Sequence, residues 1–158
     1  MKLILILILC LLNFGCANTE KVNKMPIMIE EMMRNYFGGY DFTYYDISAR
    51  GNQNGQFYAL IEVNKNDLSR EKMSYIVVDL KKNGWILKEE TSNFYHLCNE
   101  DKISLNILFP ENLKEYTTNQ VPIEFDNINM WNIFINKSTS PIAECVGNSE
   151  MIVDFNSL

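Results

Sequence analysis

The residues best equipped for chemistry in this 158-residue chain are one histidine and two cysteines, His96, Cys98 and Cys145. His96 and Cys98 are two positions apart, and on a strand such positions share a face, so a thiol–imidazole pairing is geometrically conceivable. Cys145 would add a second sulfur. Two thiolates and an imidazole amount to three metal ligands, but the spacing matches no metal motif. A catalytic serine would depend on the same lone imidazole, and no Gly-x-Ser-x-Gly precedes a helix. Cys-x-x-Cys, His-Glu-x-x-His, calcium-loop and dinucleotide-binding patterns are likewise missing from the sequence. Gly51-Asn52-Gln53-Asn54-Gly55 is glycine-rich, but no Lys-Ser/Thr and helix follow it to cradle a phosphate. Adjacent acids occur at Glu30-Glu31, Glu89-Glu90 and Glu100-Asp101. Carboxylate pairs hydrolyse glycosides when they face each other across a sugar, whereas sequence neighbours face apart, so solvated charge is the expectation. No catalytic residue, cofactor or metal site is predicted on these grounds.

The elements that would position these groups alternate helices with strands. Pro26 to Phe37 reads as a helix, with Ile29, Met32, Met33 and Tyr36 on one face and Gly38-Gly39 as its end. Tyr40 to Ala49 and Gln56 to Val63 read as a hairpin. Tyr40, Phe42 and Tyr44 fall on one parity and Tyr45, Ile47 and Ala49 on the other, a switch that predicts a bulge near Tyr44-Tyr45. These aromatic residues either pack into the core or form an exposed recognition face. Asp67 to Asn83 reads as a second helix, capped by Asn66 or Asp67, with Met73, Ile76, Val77 and Leu80 inward and Gly84 at its C′ position. Trp85 to Glu90, Asn93 to Cys98 and Lys102 to Phe109 read as three strands. Pro110 to Asp126 reads as an irregular loop with a short helix near Glu111 to Tyr116, long enough to be a functional loop. Met130 to Asn136 reads as a strand, with Trp131, Ile133 and Ile135 inward, and Met151 to Phe155 as a last one. This order predicts an α+β class, two helices packed on a mainly antiparallel sheet of about five to six strands.

The chain begins MKLILILILCLLNFGC. Lys2 gives a positive start, and Leu3 to Leu12 is an unbroken apolar run. Ten helical residues span only about half of a roughly 30 Å hydrocarbon core, which suits a signal-peptide h-region. An h-region ending in Gly15-Cys16 resembles the lipobox of bacterial lipoprotein precursors, over these sixteen residues alone; Asn13 and Phe14 stand where that pattern has leucine and a small residue. The resemblance implies cleavage before Cys16, diacylglycerol and palmitate on Cys16, and, with Ala17 following, attachment to the outer membrane facing the periplasm. It divides the chain into a signal peptide (1–15), a lipidated N-terminus and tether (16–25) and one α+β domain (26–158). Cys10 would leave with the signal and Cys16 would carry lipid. Cys98 and Cys145 would then be an even pair in an oxidising envelope, expected to join as a disulfide across about 46 intervening residues.

The mature part, about 140 residues, is one domain with room for a core. Its net charge, −6 for the whole chain, argues against nucleic acid as a partner and suits a basic protein. The expectation is a lipid-anchored periplasmic binding module that acts by protein–protein contact and takes no cofactor, with immunity-type toxin neutralisation as one concrete form. The alternatives are a structural or assembly accessory of the outer membrane, and a small envelope hydrolase that would have to use His96.

Overall fold

Two helices and eight strands follow one another along the chain in the computed structural model, which describes residues 25–48, 55–116 and 122–147. The elements are α1 (Ile27–Phe37), β1 (Phe42–Asp46), β2 (Gln56–Asn64), α2 (Arg70–Lys82), β3 (Ile86–Glu90), β4 (Phe94–Asn99), β5 (Ile103–Leu108), β6 (Lys114–Tyr116), β7 (Pro122–Glu124) and β8 (Met130–Ser138). Six strands form one sheet in the order β1-β2-β8-β5-β4-β3, every pair antiparallel, and β6 and β7 form a separate two-stranded hairpin. The fold is α+β. The leader, the tether and the strand expected at Met151 to Phe155 lie outside the described residues, as does the 49–54 connection.

Both helices lie on the same side of the sheet. Ala59, Ile61 and Val63 of β2, Leu97 of β4, Leu105 and Ile107 of β5 and Trp131, Ile133 and Ile135 of β8 alternate along their strands and form one core with Ile29, Met32, Met33 and Phe37 of α1 and Met73, Val77 and Leu80 of α2. β8 sits at the centre because it pairs over its length with β2 on one side and with β5 on the other. Trp131 is fully buried, and its indole N–H donates to the Leu68 carbonyl at 2.7 Å. That bond ties the sheet to the turn that launches α2.

The start of α2 differs from the sequence expectation. Asn64 to Leu68 forms a turn closed by the Asp67 and Leu68 amides on the Asn64 carbonyl, so the cap is Ser69, whose hydroxyl accepts from the Lys72 amide. Leu68, just before the cap, and Met73, in the first turn, are both fully buried, an arrangement that fixes the entry angle of a helix. The end of α2 follows expectation. Gly84 has φ +91°, its amide reaches the Lys81 carbonyl, and the Trp85 amide reaches the Leu80 carbonyl at 3.1 Å, which is the Schellman arrangement. A Cβ at Gly84 would meet nothing within 4 Å, so Gly84→Ala carries only the backbone cost of positive φ. We expect it to lower stability by about 1 kcal/mol, read as a shift in denaturation midpoint with unchanged slope.

Two further expectations are corrected. β1 pairs with β2 in unbroken register from Phe42↔Val63 to Asp46↔Ala59, so there is no bulge at Tyr44-Tyr45; the sheet's irregularity is between Leu87 and Glu89 on β3. Residues 111–116 are not helical: Lys114–Tyr116 pairs with Pro122–Glu124 as β6 and β7. A clasp holds the end of the sheet near this hairpin. The Phe109 ring is approached by the Lys65 ammonium (3.7 Å from the centroid) and the Arg70 guanidinium (3.9 Å), and meets Trp131 edge-on at 4.5 Å. Lys65 Nζ donates to the Pro110 and Ile128 carbonyls, and Arg70 bonds the Ser92 carbonyl and pairs with Glu111.

Candidate functional site

The unbroken register of β1 explains its two apolar parities. Tyr44 points to the helix side and packs against the core, while Tyr45, opposite Leu60, points to the other face of the sheet, where its hydroxyl meets Glu62. That second face is covered by no helix among the described residues. Pairing registers place Tyr45, Leu60, Phe134, Asn106, His96 and Glu89 across it in one row. Tyr58, Asn136, Ser104, Cys98 and Ile86 form the next row.

The segment after β8 turns back over one end of this face. Ile142 donates to the Asp101 carbonyl at 2.6 Å, Cys145 is bonded to Cys98 with their Cα atoms 5.6 Å apart, and Lys88 Nζ donates to the Gly147 carbonyl at 3.2 Å. Cys98, Ile142 and Cys145 form a small buried cluster separate from the main core. Between this segment and the sheet runs a groove of about 820 Å³, with Phe134, Asn106, His96 and Asn136 on its sheet side and Glu144 and Val146 on its loop side. Large apolar side chains stay solvent-exposed on this face and its rim: Tyr45, Ile47, Tyr58, Ile86 and Val146. The Oδ1 atom of Asn136 is buried with no hydrogen-bond partner among the described residues.

His96 sits in this groove and is 9% exposed. Its Nδ1 lies 2.6 Å from Asn106 Oδ1 and its Nε2 lies 3.5 Å from Cys98 Sγ. An amide oxygen only accepts, so this contact calls for a proton on Nδ1, and the bridged sulfur has no hydrogen to donate to Nε2. The ring is thus engaged on both sides by an amide and a disulfide. The paired acids are not brought together. Glu89 and Glu90 face opposite sides of β3, opposite His96 and Tyr95 respectively, and Glu30 and Glu31 are exposed on α1.

Four tyrosines hold their protons beyond the ordinary value of 10.0: Tyr36 and Tyr95 through burial and then the charges of Asp79 and Glu90, Tyr44 through burial and then Asp46, and Tyr45 through the Glu62 carboxylate. A raised acid pKa means that the native state binds more protons than the unfolded one at alkaline pH. Stability from these groups is therefore intact below about pH 10 and is lost as pH rises through their folded values. Lys65 runs the other way, because burial and then Arg70 lower its pKa and folding is penalised less as pH rises toward 10.5. The tyrosines therefore lower stability as pH rises above about 10, and Lys65 acts in the opposite sense. The Tyr44 hydroxyl is buried with no partner among the described residues, so Tyr44→Phe should keep full stability at neutral pH and flatten part of the alkaline loss, checked by thermal melts along a pH series.

Of the two alternatives for the aromatic residues of the first hairpin strand, the structure takes both: Tyr44 packs against the core and Tyr45 is exposed on the other face, whose extent across the sheet the sequence does not predict. The signal of that face is Tyr45, Ile47, Tyr58 and Phe134, apolar residues at positions opposite to the core-facing parity. No protein-family model, curated protein or solved structure matches the chain.

Proposed function

We propose that this chain is a lipid-anchored module of the bacterial envelope whose uncovered sheet face and groove bind a protein partner. The observation that carries the reading is the second sheet face, which leaves Ile47, Tyr58, Ile86 and Val146 exposed around one groove and Tyr45 exposed on the same face. Scattered apolar residues on a surface need no explanation, whereas a contiguous set rimmed by polar groups marks an interaction site. Aromatic anchors in pockets with a polar rim are the usual source of binding energy at protein interfaces. Acidic side chains, Glu62, Glu89 and Glu144, accompany the apolar ones, and the chain carries −6 overall. A partner with apolar side chains flanked by lysine and arginine fits this chemistry, and neutralisation of a basic toxin domain is one form of it.

Attachment rests on Cys16 and the leader before it. Among the described residues no helix is long and apolar enough to cross a membrane. Two or more acyl chains on Cys16 would give a stable anchor where one would be marginal. Two experiments test the proposal. Cells fed labelled palmitate should label the wild-type protein and not Cys16→Ser; equal labelling, or none in the wild type, removes the anchor. A photo-crosslinking residue at Tyr58 should give a discrete protein adduct in intact cells, while one at Tyr75 on the helix side should not. Adducts at Tyr75 alone would move the working surface to the helices.

A further inference from the structure

We propose that, once the Cys98–Cys145 bridge is reduced, His96, Cys98 and Cys145 form a three-ligand site for a thiophilic divalent cation such as zinc. The three side chains are buried, at 9%, 0% and 7% exposure, and their ligand atoms all lie within 4.8 Å of one another. They reach this point from β4 and from the loop after β8, which explains why their linear spacing matches no motif. Zinc–sulfur bonds of about 2.3 Å and zinc–nitrogen bonds of about 2.0 Å at tetrahedral angles require a sulfur-to-nitrogen edge of about 3.5 Å. His96 Nε2 already lies 3.5 Å from Cys98 Sγ. Reduction frees the two sulfurs to part to the roughly 3.8 Å that the same tetrahedron requires.

The imidazole is prepared for this role. Asn106 Oδ1, 2.6 Å from Nδ1, fixes the tautomer in which Nε2 is the free donor, and a partner of this kind orients metal-binding histidines generally. His96 lines the groove, so the fourth position of the cation falls to water or to a ligand in the groove. The chemistry balances. A dithiol gives two electrons and two protons to the bridge and becomes a disulfide itself; the cation then displaces two protons as both sulfurs become thiolates. Bridge and cation use the same two sulfurs and exclude each other, so a cation stabilises the reduced form by mass action.

The test uses the full-length chain carrying Cys10→Ser and Cys16→Ser, in detergent, reduced with a phosphine and titrated with cobalt(II) as the probe. The expected result is one cobalt per chain, with thiolate-to-cobalt charge-transfer bands and d–d bands of tetrahedral strength, displaced by zinc and absent from the oxidised protein. His96 is the only histidine, so a hyperfine-shifted imidazole proton signal identifies it without a variant. His96→Gln should weaken binding on the order of 100-fold and Asn106→Leu on the order of 10-fold. The proposal is overturned if the reduced chain binds no more tightly than the oxidised one, if no imidazole signal shifts, or if His96→Gln keeps full affinity. A reduced chain that unfolds and is not refolded by the metal overturns it equally.

Discussion

Replacing Cys98 and Cys145 by serine is expected to lower stability by about 4 kcal/mol. The bridge spans a sequence separation of 47, and closing a loop of that length removes roughly this much chain entropy from the unfolded state. For a domain whose whole stability is of order 5–15 kcal/mol, the corresponding melting shift is on the order of 10–20 °C. The loss should be uneven across the molecule. The segment that Cys145 anchors is otherwise held to the sheet chiefly by the Ile142 amide, the Lys88 side chain and one buried isoleucine. Amide exchange should therefore accelerate first over residues 139–147 and only later in β2, β8 and β5, the middle of the sheet. Reduction of the wild-type protein should reproduce the same pattern. A double variant that melts at the wild-type temperature would mean that the bridge adds nothing to stability.

Trp131→Ala is expected to cost 3–5 kcal/mol, a range of about the size seen for large aromatic truncations in cores. Two effects combine. The indole fills the space between β8 and the helix layer, against Phe109 at 4.5 Å, and its N–H satisfies the Leu68 carbonyl at 2.7 Å. Truncation opens a cavity and leaves that buried carbonyl unpaired. Trp131→Phe separates the two terms, because it keeps most of the packing and loses the hydrogen bond, and it should cost about 1–3 kcal/mol. Both are read from denaturant midpoints at constant slope. Equal costs for the two variants would show that the hydrogen bond dominates and the cavity is filled by repacking.

The helix-facing half of the fold was legible in the sequence because burial on one side imposes a period. Met73, Val77 and Leu80 repeat at helical spacing and Ile133 and Ile135 at strand spacing, and all are buried as the spacing predicts. The α2 stop was legible because Gly84 takes a backbone conformation that few other residues tolerate. What escaped were features decided by tertiary partners. Asn66 and Asp67 have good capping chemistry, yet the Asn64 carbonyl closes a turn over them and Ser69 inherits the cap. Lys114–Tyr116 has no apolar period, and its pairing with Pro122–Glu124 makes it a strand. The parity switch between Tyr40 and Ala49 predicts a bulge, because a change of apolar parity is what an extra residue in a strand would produce. Apolar residues on both faces satisfy the same pattern with a straight strand.

The candidate site is less legible. His96 and Cys98 were read as neighbours on one strand face, and they are. Their meeting with Asn106, Cys145 and the groove depends on strand order and on the return of the chain after β8, which no local pattern encodes. A surface of this kind is chosen by topology, through the placement of both helices on the other side of the sheet.

The proposed working surface of this protein is the uncovered sheet face. The most direct measurement is the affinity of the partner captured from Tyr58, compared between the wild type, Tyr58→Glu with Ile86→Asp on that face, and Tyr75→Glu with Val78→Asp on the exposed side of α2. Each side chain replaced is exposed, from 37% for Tyr58 to 65% for Tyr75, so melting temperatures should stay close to the wild type. Two anchors of about 2 kcal/mol each predict at least a 100-fold loss of affinity, roughly, for the first pair and no loss for the second. Unchanged affinity in the first pair, with loss in the second, would contradict the account and assign binding to the helices.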